Sequence, residues 1–342
     1  MSLTQQSGPE PPAILARAKE ITTPHLREAV RTLPSGIQQI VEYHLGWVDA
    51  SGRPESRGGK AVRPALAILS AEAAGKPAAK GIPGAVAVEL VHNFSLLHDD
   101  VMDGDRERRH RPTVWALWGV GQAIIAGDAM MTLAMQLLID RDEPEAVAAS
   151  RRLCADTAAM IVGQVEDAAL ETREEVTLEE CRQMEAKKTG ALLACASSIG
   201  AILAGAPPAV VEGLGEYGLH LGLAFQAVDD LLGIWGRPEV TGKPAWSDLR
   251  QKKKSLPITA ALANPAREGG ELRVLMARNE LSESELGRAV GLIESCGGRD
   301  WTEAEAKREL GLALRALEGL PIASPARSEF AGLARFLGER DY

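Results

Sequence analysis

The chain has 342 residues, with 38 Lys plus Arg against 47 Asp plus Glu and a formal net charge of −9. That length suits one large domain or two ordinary ones. The acidic balance argues against nucleic acid as a main partner, because phosphate-backbone binding wants a broadly basic surface. A small phosphorylated ligand needs only a local basic cluster, so that class stays open. Four scattered cysteines (Cys154, Cys181, Cys195, Cys296) with no CxxC pair read as free thiols in a reducing compartment. The opening "MSLTQQSGPEPP" has no basic start followed by an apolar core, so no signal peptide is visible and a cytoplasmic location is expected.

Helical periodicity dominates from about residue 13 onward. Ala and Leu are abundant, aromatics make up 4%, and alternating β-branched runs are nearly absent. The polar, Pro-rich residues 1–12 read as a disordered tail. Breakers then cut the chain into roughly a dozen helical pieces. The cuts are "TLPSG" (32–36), "DASGRPESRGG" (49–59), "GKPAAKGIPG" (75–84), "RDEPE" (141–145), "GAPP" (205–208), "GRPEVTGKPAW" (236–246), "ANPAREGG" (263–270) and "GLPIASPA" (319–326). No repeat, heptad run or long linker appears, so residues 13–342 are expected to form a single all-α domain of packed helices. The run Gly190 to Val211 carries no charge over a near-spanning length, but it holds Ser197, Ser198 and Pro207–Pro208. A buried helix ending at the prolines fits it better than a membrane span.

Chemistry-bearing residues recur along this helical chain. "GGKAVRP" (58–64) puts Lys60 and Arg63 on a Gly-rich loop, with Pro64 placed to open a helix. "LLHDDVMDGDRERRHRPT" (96–113) then sets Asp99, Asp100 and Asp103 directly before Arg106, Arg108, Arg109 and Arg111. On a helix, His92, Asp99 and Asp103 fall within about 40° of one face, and Asp100 about a quarter turn away. Carboxylates so placed repel one another unless a cation joins them. A solvated acidic helix end capped by Gly104 is the plain alternative, and "DGD" lacks the alternating spacing of a calcium loop. Hard oxygens without a full cage suit Mg²⁺, which keeps waters and completes its shell with phosphates. Arginines beside them suit phosphate itself, so the juxtaposition describes a diphosphate site. Farther on, "GQVEDAALE" (163–171) and "EAKKTG" (185–190) supply Gln164, Asp167, Lys188 and Thr189. "FQAVDDLLG" (225–233) places Gln226, Asp229 and Asp230 on one helix face at i, i+3 and i+4. "TGKPAWSDLRQKKKSLP" (241–257) adds Lys243, Asp248, Arg250, Lys252, Lys253 and Lys254. Each basic stretch alone is more often a solvated surface than a site.

The blocks "GKxxRP", "H-x6-DDxxD", "RR-x-x-PT", "GQ-x-x-D", "KT", "FQ-x-x-DD", and "GK" followed by "DL" and "K-x-x-LP" occur here in that order, from Gly58 to Pro257. In order and spacing the chain resembles the trans-polyprenyl diphosphate synthases, head-to-tail isoprenoid chain-lengthening enzymes. The resemblance implies an all-α isoprenoid-synthase bundle around a central apolar cavity, and a homodimer. It also implies a Mg²⁺-dependent condensation of isopentenyl diphosphate with an allylic diphosphate. Three Mg²⁺ per active site are implied, replaceable by Mn²⁺, held by Asp99, Asp100 and Asp103 on one side and by Asp229 and Asp230 across the cavity. By the same match Arg108, Lys188, Thr189, Gln226, Lys243 and Lys253 would bind the allylic diphosphate, with Lys188 and Lys243 also counted as catalytic. Lys60, Arg63, His92 and Arg109 would bind isopentenyl diphosphate.

Two departures stand out. Gly233 occupies the place where the family's second motif commonly has a third aspartate. Trp246 and Lys252 occupy places of common glycines in the loop before Lys253. Product length would be set by Phe94 and Ser95, five and four residues before Asp99, which on a helix lie one turn below it. One aromatic followed by a small residue, without insertion in "DDVMD", resembles geranylgeranyl-making members, so a twenty-carbon product is expected, with fifteen carbons as runner-up. Phe94 as an ordinary core aromatic is the bland alternative. Three other classes compete. A non-catalytic or regulatory subunit would tend to lose an aspartate-rich motif. A class I terpene cyclase would carry an Asn, Ser and Glu metal motif that is missing here. A plain helical interaction protein would have no reason to keep the blocks in order.

Overall fold

The computed structural model describes residues 11–237, 245–265, 267–278 and 280–338. Sixteen α-helices follow one another among them. They are α1 (Ala13–Val30), α2 (Ser35–His44), α3 (Val62–Ala73), α4 (Ile82–Met102), α5 (Val114–Trp118), α6 (Val120–Ile139), α7 (Pro144–Glu171), α8 (Leu178–Glu185), α9 (Ala191–Leu203), α10 (Pro208–Trp235), α11 (Ser247–Arg250), α12 (Leu256–Ala263), α13 (Arg267–Met276), α14 (Glu283–Ser295), α15 (Gly298–Ala316) and α16 (Ser324–Gly338). The first ten residues of the expected tail lie outside the described residues, and α1 opens at Ala13, directly behind Pro12. The cut at 263–270 is shorter than expected, since α13 already includes Gly269 and Gly270.

α9 explains the centre of the molecule. It carries no charge, and every residue of it except Ile202 is buried. A helix apolar all round must be enclosed all round, and α3, α4, α7 and α10 enclose it. The suspected membrane run is therefore a core helix. Small residues let the enclosing helices come close. A Cβ at Gly200 would overlap the Ala67 carbonyl and lie 2.5 Å from Ser70 Oγ, so α3 touches α9 backbone to backbone. Besides this main core, a second apolar cluster joins Ile234 at the end of α10 to Leu249, Ile258, Leu272 and Ile293.

α6 is the one described helix long and apolar enough to cross a membrane by length and composition alone. It packs on α4, α5 and α7, and it turns Val120, Ile124, Ile125 and Ile139 outward; α7 does the same with Val147, Ile161, Val162 and Val165. Two local features lay beyond periodicity. The arginine run folds into a two-strand ribbon pairing Glu107 with Pro112 and Arg108 with Arg111, with Arg109 and His110 at the tip in the left-handed region. Between α8 and α9, Ala186–Gly190 forms a π-helical turn, where Ala191 N–H bonds back to Ala186.

Candidate active site

α4 brings the first acidic cluster to its C-terminal end, where orphan carbonyls would favour a cation. Asp103 is the C-cap, its N–H bonded to the Asp99 carbonyl at 2.8 Å. The three carboxylates do not play one role. Asp103 is exposed and Asp99 partly so, whereas Asp100 is only 2% exposed and accepts from Arg108 Nε at 2.6 Å. Burial pushes the Asp100 carboxyl up to about 6 despite that arginine. Burial also raises Asp99, opposed by Lys188 and reinforced by Asp103. Asp100, expected as a metal ligand, and Arg108, expected on a diphosphate, are thus joined to each other here. The reason is that the ribbon folds back onto α4.

The ribbon also divides the four arginines. Arg111 donates to the Tyr43 and Val48 carbonyls at 3.1 and 2.8 Å and pairs with Glu55 at 3.4 Å. Arg106 stacks on Trp115 at 5.1 Å. These two hold the fold. Arg109 turns instead toward the Gly-rich loop, with its guanidinium 3.5 Å from where a Cβ on Gly59 would stand.

Arg109 thereby joins a basic pocket. α3 begins at Val62, so Arg63 sits in its first turn rather than on the loop before it. Burial lowers the Arg63 guanidinium to about 10, with Glu89 as the opposing charge, and its Nε has no hydrogen-bond partner. Burial and then Arg63, Arg109 and Arg108 hold His92 well below its usual range. Burial and Arg108 hold His44 at about 3, and its Nε2 likewise lacks a partner. Orphaned buried donors among arginines are a site built for an anion. Lys60 stands near the pocket's rim with its ammonium 5.7 Å from the Phe336 ring of α16. Spacing along the sequence does not single out His44 and Glu89; only their meeting in space with Arg63, Arg108 and Arg109 marks them.

The second acidic cluster lies in the C-terminal part of α10. Gln226 joins the α8–α9 rod to α10, accepting from Thr189 Oγ1 at 2.8 Å and donating to Asp230 Oδ1 at 2.8 Å. Asp230 is buried, and its other oxygen accepts from Leu256 N–H at 2.8 Å. Burial and then Asp248 push its carboxyl up to about 7. Asp229 is exposed. So Asp230, expected to hold metal, has both oxygens committed to protein donors, and Asp229 is the one turned outward. Across from them Lys188 Nζ donates to Asp167 of α7 at 2.5 Å. Lys253 ties the two clusters together. Burial alone would lower its ammonium, but Asp248, Asp103, Asp167 and Asp230 act on it together and hold it raised. Lys243 lies outside the described residues.

Trp246 and Lys252, the substitutes for common glycines, have φ of 59° and 54°. The loop keeps the left-handed conformation that glycine would adopt freely, and Trp246 compensates by packing against the second apolar cluster. Phe94 is 5% exposed in the main core and meets the His98 ring edge-on at 5.2 Å. Ser95 Oγ is turned back to the His92 carbonyl at 2.8 Å.

The donor set fits a divalent cation that is completed by its ligands. Among the described residues no three carboxylate, imidazole or thiol groups already converge to cage a metal. Asp99, Asp103 and Asp229 instead keep carboxylates that are not fully buried, and burial, with Asp103 adding to it, raises Asp99. Mg²⁺ asks for one or two carboxylates, waters and substrate phosphates rather than a full protein cage.

Comparison with known proteins shows the family. The polyprenyl synthetase family model matches residues 49–293. A (2E,6E)-farnesyl diphosphate synthase of Mycobacterium tuberculosis is 48% identical over 332 residues, covering 96% of this chain and 92% of that one. A geranylgeranyl diphosphate synthase of the same organism is 43% identical over 309 residues, covering 89% and 88%. The crystal structure of a polyprenyl synthetase from Streptomyces coelicolor A3(2) superposes with a TM-score of 0.91 at 51% identity, covering 95% of this chain and 98% of that one. The chain belongs to the polyprenyl synthetase family, a prenyltransferase of the short-chain prenyl diphosphate synthase type with the all-α isoprenoid synthase fold.

Proposed function

We propose that this enzyme joins isopentenyl diphosphate head-to-tail to an allylic diphosphate and makes a twenty-carbon product. The observation that carries the two-substrate reading is the pair of separate anion sites. One is the basic pocket of Arg63, His92, Arg109 and Lys60. The other is the space between the acidic clusters, bordered by Lys188 and Lys253. In the reaction the allylic C–O bond breaks and its electron pair leaves with the diphosphate. Lys188 and Lys253 would stabilise that departing charge as preplaced cations; Lys243, expected in the same role, lies outside the described residues. Asp99, Asp103 and Asp229 would hold Mg²⁺, which when bound neutralises diphosphate oxygens as a Lewis acid. Asp100 and Asp230 position their neighbours, Arg108 and Gln226. The pocket's arginines keep the diphosphate of isopentenyl diphosphate in place while its double bond attacks the allylic carbon. A C–C bond forms, and the proton then lost goes to the released diphosphate. The cation needs shielding from water, which the apolar Phe94 and Leu97 of α4 would supply.

Small Ser95 beside Phe94 supports twenty carbons. The fifteen-carbon reading keeps one specific support, the 48% identity to an enzyme named for farnesyl diphosphate. The test is Mg²⁺ plus labelled isopentenyl diphosphate with each allylic partner, followed by product sizing. No elongation with any partner would favour a non-catalytic subunit, and a cyclic hydrocarbon a terpene cyclase. We further propose a cytoplasmic homodimer of single-domain chains in which a second copy covers the outward apolar residues of α6 and α7. Exposed apolar patches of this kind mark interaction surfaces. Light scattering after size exclusion checks it; a monomer, or sedimentation with vesicles, would count against it.

A further inference from the structure

The loop between α2 and α3 is stitched together by its own residues. Val48 bridges to Pro54 in antiparallel fashion. Asp49 accepts from Ser51 N–H at 2.8 Å and Arg53 Nε at 2.7 Å. Trp47 is buried, with the Arg27 guanidinium 4.3 Å from its ring. The loop closes where Arg57 N–H donates to the Gly46 carbonyl at 3.0 Å. Gly46 has φ of 75°, and a Cβ on it would overlap the Arg57 carbonyl. The backbone of Arg57 is therefore fixed, although its side chain is 59% exposed. That side chain lines a small cavity with His44, Asp100, Arg108, Arg109 and Thr113. Arg57 pairs with Glu55 at 3.7 Å, and Glu55 also serves Arg111 at 3.4 Å. One carboxylate shared by two guanidiniums leaves net positive charge. Arg109 borders both this cavity and the basic pocket: it stands 3.5 Å from the missing Cβ of Gly59, and its charge acts on His44 and His92 alike.

We propose that Arg57 is a further binding residue for isopentenyl diphosphate, taking one phosphoryl group from the loop side while Arg63 takes the other, with Arg109 between them. An anion with one phosphorus fills one of these two spaces; a diphosphate spans both. The loop before α3 is thus a second wall of the pocket, and it selects diphosphate over monophosphate. The assignment rests on the basic-pocket reading above.

Isothermal titration of isopentenyl diphosphate and of isopentenyl monophosphate into the full chain, with chelator present, reads this directly. Without divalent metal the acidic clusters repel a diphosphate, so the titration reports the basic pocket. At about 0.15 M salt an exposed guanidinium more than about 8 Å away is screened, so a loss reports contact rather than distant charge. Arg57→Gln is expected to weaken the diphosphate about tenfold, the low end for a charge-assisted hydrogen bond. It should leave the monophosphate within about twofold of wild type, as for a group that ligand does not share. Arg57→Lys, which keeps the charge, should fall between Arg57→Gln and wild type. Arg53→Gln, from the same loop but paired with Asp49, should bind both ligands as wild type does. The assignment is overturned if Arg57→Gln binds the diphosphate like wild type, if it weakens both ligands equally, or if Arg53→Gln matches its loss. If instead Arg63→Met leaves both affinities unchanged, the basic pocket itself is not the isopentenyl site, which is a different result from loss of the Arg57 effect alone.

Discussion

Arg63→Met separates binding from folding, because the structure gives the two effects opposite signs. Met keeps the bulk of the stem and removes the guanidinium. In the unliganded protein that guanidinium is a burden. Burial lowers it to about 10 against the usual 12.5, with only Glu89 opposing, which corresponds to about 3 kcal/mol against the charged form. Glu89 is itself pushed up by burial, so on losing its partner it can take a proton rather than remain a buried unpaired charge. Stability without ligand should therefore be unchanged or higher by about 1 kcal/mol, the part of the buried charge's penalty not returned by Glu89. With isopentenyl diphosphate the sign reverses. A lost charge-assisted contact is worth about 1.5–3 kcal/mol, or about ten- to 150-fold in its KM. The KM of the allylic partner should stay within about twofold, since well-separated sites act additively. Steady-state kinetics with each substrate varied in turn, and thermal melts with and without isopentenyl diphosphate, read both effects. A variant that melts well below wild type yet binds isopentenyl diphosphate normally would make Arg63 a cation that holds the fold, and the pocket assignment would be refuted.

Chelation of divalent metal should abolish turnover, and Asp99→Ala or Asp229→Ala should each lower kcat/KM by about a thousandfold or more, the scale of losing a charge clamp on a leaving group; near wild-type turnover in both would end the two-cluster reading. Phe94→Ala should lengthen the product by at least one five-carbon unit on chromatography and destabilise by about 3–5 kcal/mol; a folded variant with unchanged products would put the floor elsewhere. Gly200→Ala, which drives a methyl into the Ala67 carbonyl, should destabilise by about 1–3 kcal/mol in denaturant melts, and a neutral result would deny the close α3–α9 crossing. His44 is neutral when folded, at about 3, whereas unfolded it takes a proton below about pH 6.5. The unfolded state then binds more protons, so this group's contribution falls as pH drops from about 6.5, by about 1.4 kcal/mol per pH unit. His44→Gln should gain on wild type by that slope between pH 6 and 4, and parallel stability curves would contradict the burial of its ring.

Much of this was legible in the sequence because the chemistry recurs at helix spacing. Asp99 and Asp103 do share the end of α4, and Gln226 bonds to Asp230 one turn on, as i, i+4 neighbours should. Roles within each motif were not legible. Whether Asp100 faces solvent or Arg108 depends on a ribbon whose strands are two residues long, with Arg109 and His110 at positive φ, and no periodicity announces that. The same holds for His44 and Glu89, whose neighbours come from other helices. Gly269 and Gly270 read as a break in the sequence but sit inside α13, where packing overrides propensity. Trp246 and Lys252 departed in residue type but not in backbone shape, since a loop's conformation can outlast the residue that makes it easy.

The π-helical turn at Ala186–Gly190 is in effect a gear change. One extra residue rotates everything before it by about 100° relative to everything after it. The rod from α8 to α9 can thus obey two phases that no uniform helix could satisfy together. In one, Glu185 meets Asp230; in the other, α9 meshes with α3. Gly163 of α7 locks the change in place, since a Cβ there would stand 2.7 Å from Lys188 Cα. Deleting a single residue from the turn would heal the helix locally and yet swing α8 out of phase. Lys188 and Thr189 lie within that turn, so shortening it would also re-aim the two side chains that bond to Asp167 and Gln226.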